Sequence, residues 1–239
     1  MNNILPIGYE GFMIDSSYKL DYEAQVILTT CILNRIECKV IKGYKDYIEG
    51  YIPIGNIKFI KSIMGKVITP EYYPAYLNAY LKRKVWCSDS WPLGERVFIK
   101  PADEYKRFNG FVTNGGYRGK KRGPYVCSEV VKFINEWRYY ICNGENLGGY
   151  WYAGMADVVK DAPKLDIVFD KGTCLCLDMG EIEGGEIILV EAQHPFSCGW
   201  YGKNTPSEGM KYAKWCAYGW GSMVEVVKDI ERVKNGIRY

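Results

Sequence analysis

Residues 187–202 read "IILVEAQHPFSCGWYG". Four apolar residues run into Glu191, and Gln193, the chain's single histidine His194, and a proline follow. Side chains at i and i+2 of an extended segment share a face, so Glu191 and Gln193 point the same way. Two oxygen donors at the end of a buried strand can hold a hard cation, or they can be a solvated strand end. The preceding segment bears on that choice. Asp178, in "CLDMG", stands thirteen residues before Glu191, with the turn sequence "EGGE" between them. Two antiparallel strands joined by that turn bring Asp178 beside Glu191 and Gln193. Mg²⁺ takes a few carboxylates together with phosphate oxygens and waters, and this set suits it.

Working outward toward the N-terminus, "CSEVVKFINEWRYYI" carries Glu129 and Glu136 seven residues apart, with Arg138 just beyond. "VFIKP" places Lys100 at the end of an apolar strand, where a lysine can serve a phosphate as a point charge or lie on the surface with its stem along apolar groups. "FNGFVTNGGYRGKKRG" combines five glycines with Arg118, Lys120, Lys121 and Arg122. Glycine-rich backbone approaches phosphate closely, although neither a Walker pattern nor G-x-G-x-x-G is present.

The first eighty residues alternate strand and helix patterns. "GFMID", "ECKVIKGY" and "GYIPIGN" read as strands. "DYEAQVILTTCILNRI" spaces Ala24, Ile27, Leu28, Cys31 and Ile32 as a helix, and "IKFIKSIM" is a second, closed by Gly65. Such alternation predicts a small parallel sheet with helices packed on it. After "TPEYYPAYLNAYLKRKVW" the chain becomes strand-rich, with glycine-rich connections at 109–123 and 143–149. A last helix covers "SEGMKYAKWCAYGWGSMVEVVKDIERV", interrupted by Gly219 and Gly221. The boundary falls near residue 80, giving an N-terminal α/β domain, 1–80, and a second domain, 81–239.

The chain has 239 residues, 48% hydrophobic and 25% charged, with a net charge of +3. That is soluble globular composition, and the charge is too small to argue for nucleic acid. The 21 tyrosines fit sheet surfaces. No apolar run is long enough to span a membrane, and the N-terminus lacks the basic and apolar regions of a signal peptide. Nine cysteines without a C-x-x-C pair, and a single histidine, speak for reduced thiols rather than zinc, hence a cytoplasmic location.

In order, a Lys-Pro strand end, a glycine-rich loop, an acidic hinge with a second Glu seven residues on, and an Asp followed by Glu-x-Gln resemble the ATP-grasp superfamily. "YIPIGNIKFI", "YLKRKVW", "VFIKPAD", "SEVVKFINEWRYYI" and "LVEAQHPFSCGWYG" are most similar to a clade of small phage and bacterial members expected to be amide ligases. The resemblance covers residues 50–220. It implies an α+β fold in which a small N-terminal α/β lobe precedes two α+β lobes that sandwich ATP, with ATP and Mg²⁺ as cofactors.

By that resemblance Lys100 touches the α- and β-phosphates. Arg83 is the upstream phosphate cation, with Lys84 as its substitute. The loop at 109–119, Gly110 included, is the lid. Glu129 and the backbone of Val130 and Val131 read adenine, and Glu136 takes the ribose hydroxyls. Asp178, Glu191 and Gln193 ligate magnesium, with Gln193 standing where asparagine is usual, so that the amide oxygen sits on a longer arm. Arg138 acts on an acyl phosphate or substrate carboxylate. His194, Ser197 and Tyr201 line the acceptor pocket, His194 otherwise being a structural strand-end hydrogen-bonding group.

The implied activity is an ATP-dependent carboxylate–amine ligase working through an acyl phosphate. Its partners would be a carboxylate and an amine from an amino acid, peptide or protein tail, in the host cytoplasm if phage-encoded. The competing readings are a nucleotide-binding module without turnover and a nucleic-acid-binding protein using the basic loop at 117–123.

Overall fold

The computed structural model describes residues 4–17, 20–66, 68, 71–103, 107–116, 122–154 and 159–234, without the side chains of Ser197 and 231–234. Arg118, Lys120 and Lys121 of the basic loop lie outside the described residues.

The N-terminal unit is a parallel sheet in the order β2-β1-β3, built from β1 (Gly11–Asp15), β2 (Glu37–Ile41) and β3 (Tyr51–Ile54). β1, the central strand, is buried along nearly its whole length, and the edge strand β3 is buried as well because it packs with α4. α1 (Tyr22–Asn34) starts where the Asp21 carboxylate accepts from the Ala24 N–H at 2.9 Å, and ends at Arg35 in a left-handed conformation. α2 (Ile57–Met64) is capped by Asn56 and stops at Gly65, φ 73°. These elements agree with the sequence reading.

One residue of the α1 stripe differs, since Ile32 is exposed while Val26 and Thr30 are buried. α1 is wedged between its own sheet and the C-terminal helix, and that second contact rotates the buried arc toward Val26 and Thr30. The approach is close: a Cβ at Gly209 would overlap the Thr30 hydroxyl.

Two antiparallel sheets follow. β4 (Val85–Ser88), β5 (Val97–Pro101), β6 (Phe111–Thr113) and β7 (Tyr125–Ser128) run in the order β4-β7-β5-β6. β8 (Phe133–Cys142), β9 (Glu145–Gly154), β10 (Cys174–Ile182) and β11 (Ile187–Gln193) run in the order β11-β10-β8-β9. Residues 129–132 are the connection from β7 to β8, and so from one sheet to the other. The expected glycine-rich connection at 143–149 is mostly strand. Asn143 and Gly144, at φ 53° and 82°, form the tight turn, and β9 begins at once. Gly149 belongs in the strand because a Cβ there would overlap the Tyr139 ring.

α3 (Asn78–Leu81) packs on β11, and α4 (Pro206–Lys234) continues unbroken through Gly219 and Gly221. Trp215, fully buried, joins Tyr140, Trp200 and Tyr212 in an aromatic cluster. This cluster is continuous with Phe12, Ile14 and Ile52 of the parallel sheet. One face of β8 and β10 thus rests under α4. The opposite face, with Trp137, Tyr139, Ile141, Leu177 and Leu189, packs on Leu77 and Leu81. Among the described tyrosines, Tyr51, Tyr125, Tyr139 and Tyr140 are buried strand residues, whereas others lie in helices and connections.

The two mid-helix glycines differ in their surroundings. A Cβ at Gly219 would overlap Pro195, whereas one at Gly221 meets nothing within 4 Å. Gly costs about 1 kcal/mol against Ala inside a helix, so Gly221→Ala is expected to raise the melting temperature by about 2–4 °C. Gly219→Ala is expected to lower it. Thermal unfolding followed by circular dichroism checks both, and the opposite ranking would contradict the described packing of α4.

Candidate functional site

The site lies where one face of the β11-β10-β8-β9 sheet changes character. Along β8 the residues on this face run Cys142, Tyr140, Arg138, Glu136, from apolar under α4 to charged beyond its edge. β10 matches them register by register, with Cys174 opposite Cys142, Cys176 opposite Tyr140 and Asp178 opposite Arg138. On β11, Gln193 stands opposite Cys176 and Glu191 opposite Asp178. The hairpin expected from "EGGE" therefore brings Asp178 and Glu191 together, with Gln193 on the same face.

Each charge is met by another. Arg138 holds Asp178 through two parallel bonds, Nε to Oδ1 and Nη2 to Oδ2, both 2.8 Å. Both residues are buried, Arg138 at 6% and Asp178 at 2% exposure. Burial raises the Asp178 pKa above the ordinary carboxylate value although Arg138 pulls it down. Lys100 is likewise buried, 7% exposed, on the inner strand β5, and its ammonium pairs with Glu191. The surface-lysine alternative is thereby removed. The Gln193 amide donates to the other Glu191 oxygen. The Lys100–Glu191 pair bridges the two antiparallel sheets.

Glu136 accepts from the Tyr152 hydroxyl at 2.6 Å. Burial raises its pKa, and the Tyr152 bond works against the rise. The Tyr152 and Tyr201 rings stack with centroids 5.2 Å apart, and the Arg138 guanidinium lies 5.3 and 5.1 Å from them. His194 leads into a short 3₁₀ turn, Pro195–Ser197, and its carbonyl accepts from the Cys198 thiol at 3.5 Å.

The remaining candidates are anchored differently. β11 bulges beside Glu191, since Asp178 pairs with Glu191 but Met179 pairs with Leu189. A bulge leaves backbone groups without ladder partners. Arg83 donates to the Leu189 carbonyl and, at 2.7 Å, to the Val190 carbonyl, so its guanidinium fastens the strand that carries Glu191. Glu129 is exposed, and its carboxylate accepts from the Lys84 N–H at 2.8 Å. Val130 and Val131 follow in the link between sheets and are partly buried. Gly110 lies on the Phe98 ring, where a Cβ would overlap it, and Phe98 shares a strand face with Lys100.

Sequence reasoning missed Tyr152, along with Tyr72 and Tyr73, whose rings lie 3.5 and 4.9 Å from the Lys100 ammonium. Reading "YWYAG" as a strand paired with "NEWRYY" would have placed Tyr152 near Glu136.

The donor set fits a hard divalent cation. A carboxylate offers about four acceptor positions, so Asp178 and Glu191 can each bind a cation while keeping a basic partner, and an amide joins them. Among the described residues no three His, Cys, Asp or Glu side chains form a metal-holding group. The set is two carboxylates and an amide, as Mg²⁺ tolerates and Zn²⁺ does not favour.

Removing one member of a buried pair costs about 3–5 kcal/mol because the other charge is left uncompensated. Arg138→Met is expected to lower unfolding free energy by about that amount in urea titrations. Adding Asp178→Leu should recover most of it, and a double variant as unstable as the single would contradict the pairing.

Residues 80–208, more than half of the chain, match the model of the ATP-grasp domain, R-two-K clade, family 2. Curated proteins give no significant match. Similar solved structures include D-cycloserine synthetase DcsG, with 14% identity over 91% of this chain and 99% of that one, TM-score 0.46. The ATP-grasp ligase PsnB, complexed with a phosphomimetic variant of its minimal precursor, Mg and ADP, has 9% identity over 93% and 98%, TM-score 0.49. D-alanine–D-alanine ligase from Bacillus anthracis, complexed with ATP, has 11% identity over 92% and 99%, TM-score 0.43. The chain has the ATP-grasp fold and belongs to family 2 of the R-two-K clade of ATP-grasp domains.

Proposed function

We propose that the protein is an ATP- and Mg²⁺-dependent carboxylate–amine ligase that forms an amide through an acyl phosphate. One observation carries the reading. A buried lysine from one sheet and a buried Asp–Arg pair, a glutamate and an amide from the other converge on a single surface. Family membership supports it.

In the proposed reaction a carboxylate oxygen takes the γ-phosphoryl group of ATP and ADP leaves. An amine then attacks the carbonyl carbon, phosphate departs, and the amine proton passes to solvent. Bound Mg²⁺, held by Asp178, Glu191 and Gln193, would supply charge neutralisation at the phosphates. Lys100 adds a mobile positive charge to them. Arg138 commits Nε and Nη2 to Asp178 and turns Nη1 toward the Gly199 carbonyl at 3.4 Å. That third nitrogen is the one we assign to the substrate carboxylate or transferring phosphoryl group. Because Asp178 fixes the guanidinium plane, little reorganisation accompanies the transfer.

Glu136 is assigned to the ribose hydroxyls. Glu129 with the Val130 and Val131 backbone is assigned to adenine, Arg83 and Gly110 to the nucleotide side, and His194, Ser197 and Tyr201 to the acceptor pocket. The acceptor would be an amino acid, a peptide or a protein tail. We also propose the division into domains 1–80 and 81–239. No described helix is long and apolar enough to cross a membrane.

A nucleotide-binding module without turnover is the second reading, favoured by the Lys100 and Gln193 contacts that already engage both Glu191 oxygens. Calorimetry of ATP with and without Mg²⁺, on wild type and Glu191→Ala, separates the two. The ligase reading expects magnesium-dependent binding weakened at least about tenfold in the variant, then ADP release with a matching acid and amine. Binding indifferent to magnesium and Glu191 supports the module, and a folded protein that binds no ATP overturns both.

A second prediction concerns pH. The Tyr152 bond lowers the Glu136 pKa, so removing it raises that pKa. A ribose hydroxyl needs the ionised carboxylate as acceptor, so ATP affinity is expected to fall as pH drops through the Glu136 pKa. In Tyr152→Phe that fall should begin at higher pH, as read from Kd against pH, and an unshifted profile would dissociate Tyr152 from the site.

A further inference from the structure

Tyr72 and Tyr73 stand in the connection between the parallel sheet and α3, outside the residues matched by the family. The Lys100 ammonium lies 3.5 Å from the Tyr72 ring centroid and 4.9 Å from that of Tyr73, with Glu191 on another side. Tyr72 itself is fixed. Its carbonyl accepts from the Ala192 N–H at 2.8 Å, the residue between Glu191 and Gln193, and it is 6% exposed. The connection is thus tied to the strand end that carries both oxygen donors, and its aromatic face is turned onto the lysine.

Resting on the ligase reading, we propose that Tyr72 is a positioning residue for Lys100, its ring face holding the ammonium in the site when Glu191 turns its charge to a metal ion. Lys100 and a cation share Glu191 as a partner. As Glu191 gives its negative charge to the cation, the attraction that holds the ammonium on the carboxylate weakens. A lysine carries four flexible methylenes and a strongly hydrated head, so it would otherwise leave for solvent. A desolvated aromatic face attracts the ammonium without competing for the cation, because its negative potential comes from the ring quadrupole rather than from a lone pair. The ring therefore gives Lys100 a second resting place in the site, within reach of phosphate oxygens. Tyr73 adds a more distant face and is shared with Arg83, whose guanidinium lies 5.7 Å from its ring. The hydroxyl of Tyr72 plays no part in this, and burial, with the nearby Glu191 charge, holds its pKa up at about 12.

The test compares Tyr72→Leu, Tyr72→Phe and wild type by calorimetry with Mg·ATP and with adenosine. Loss of the face is expected to weaken Mg·ATP binding about tenfold in the leucine variant. Adenosine affinity should be unchanged, since Lys100 meets phosphate and not the nucleoside. The phenylalanine variant keeps the face and should match wild type. Equal losses for ATP and adenosine, or a phenylalanine variant as weak as leucine, would overturn the proposal. A second measurement needs no nucleotide: with Mg²⁺ present, so that Glu191 is drawn to the cation, acetylation of Lys100 by acetic anhydride, followed by mass spectrometry, should be faster in Tyr72→Leu than in wild type or Tyr72→Phe. Equal rates in all three overturn the positioning role. Wild type that binds no Mg·ATP but shows the leucine-specific acetylation would sink the ligase reading and leave the hold of Tyr72 on Lys100 standing.

Discussion

The buried pair between Arg138 and Asp178 sets the terms for the rest of the structure. A carboxylate exposed by 2% is tolerable only with a partner that satisfies both oxygens, and the two-pronged guanidinium does so. The pair in turn requires β8 and β10 to hold their register, because a slip of one residue would send one of the two charges to the opposite face, among Trp137, Tyr139 and Leu177, and part the pair. The two tyrosines around Arg138 and the carbonyl of Gly199 complete its surroundings.

The same strand face serves two purposes in sequence. Its first half, with Tyr140, Cys142 and Cys176, is core beneath α4. Its second half carries the charged groups. This division lets a rigid apolar layer fix the height and direction of Arg138, one same-face position from Tyr140, and of Glu136, two positions away. Lys100 reaches the same spot from another sheet, which residues 129–132 join to this one, so the relative setting of the two sheets determines whether the lysine and Glu191 meet.

Local patterns made much of this legible. "GFMID" and the position of Gly65 follow from burial and from the glycine stop. The meeting of Asp178 with Glu191 follows from two apolar strands and a turn of the right length. What escaped the sequence depends on distant partners. Ile32 faces solvent and Thr30 is buried because α4 presses on α1 at Gly209, and hydrophobic spacing in α1 carries no trace of that helix. The glycines of 143–149 read as a loop, although Gly149 is there to admit the Tyr139 ring, and hiding β9 also hid Tyr152. Tyr72 and Tyr73 belong to no recurring pattern. Only the folded chain shows that their rings cover Lys100, and that Lys100 is buried rather than lying along the surface.

The shared core under α4 has a consequence for the order in which the protein can form. Trp215 and its neighbours pack in one cluster with Phe12, Ile14 and Ile52 of the first sheet. A chain emerging from the ribosome delivers those strands roughly two hundred residues before their cover, about ten to forty seconds at ordinary rates of synthesis. During that interval α1 and α2 can cover part of the sheet, but the side of α1 around Val26 and Thr30 waits for α4. The N-terminal unit therefore completes its packing only once α4 has been made, and the side of α1 that α4 covers is the surface in need of shielding until then.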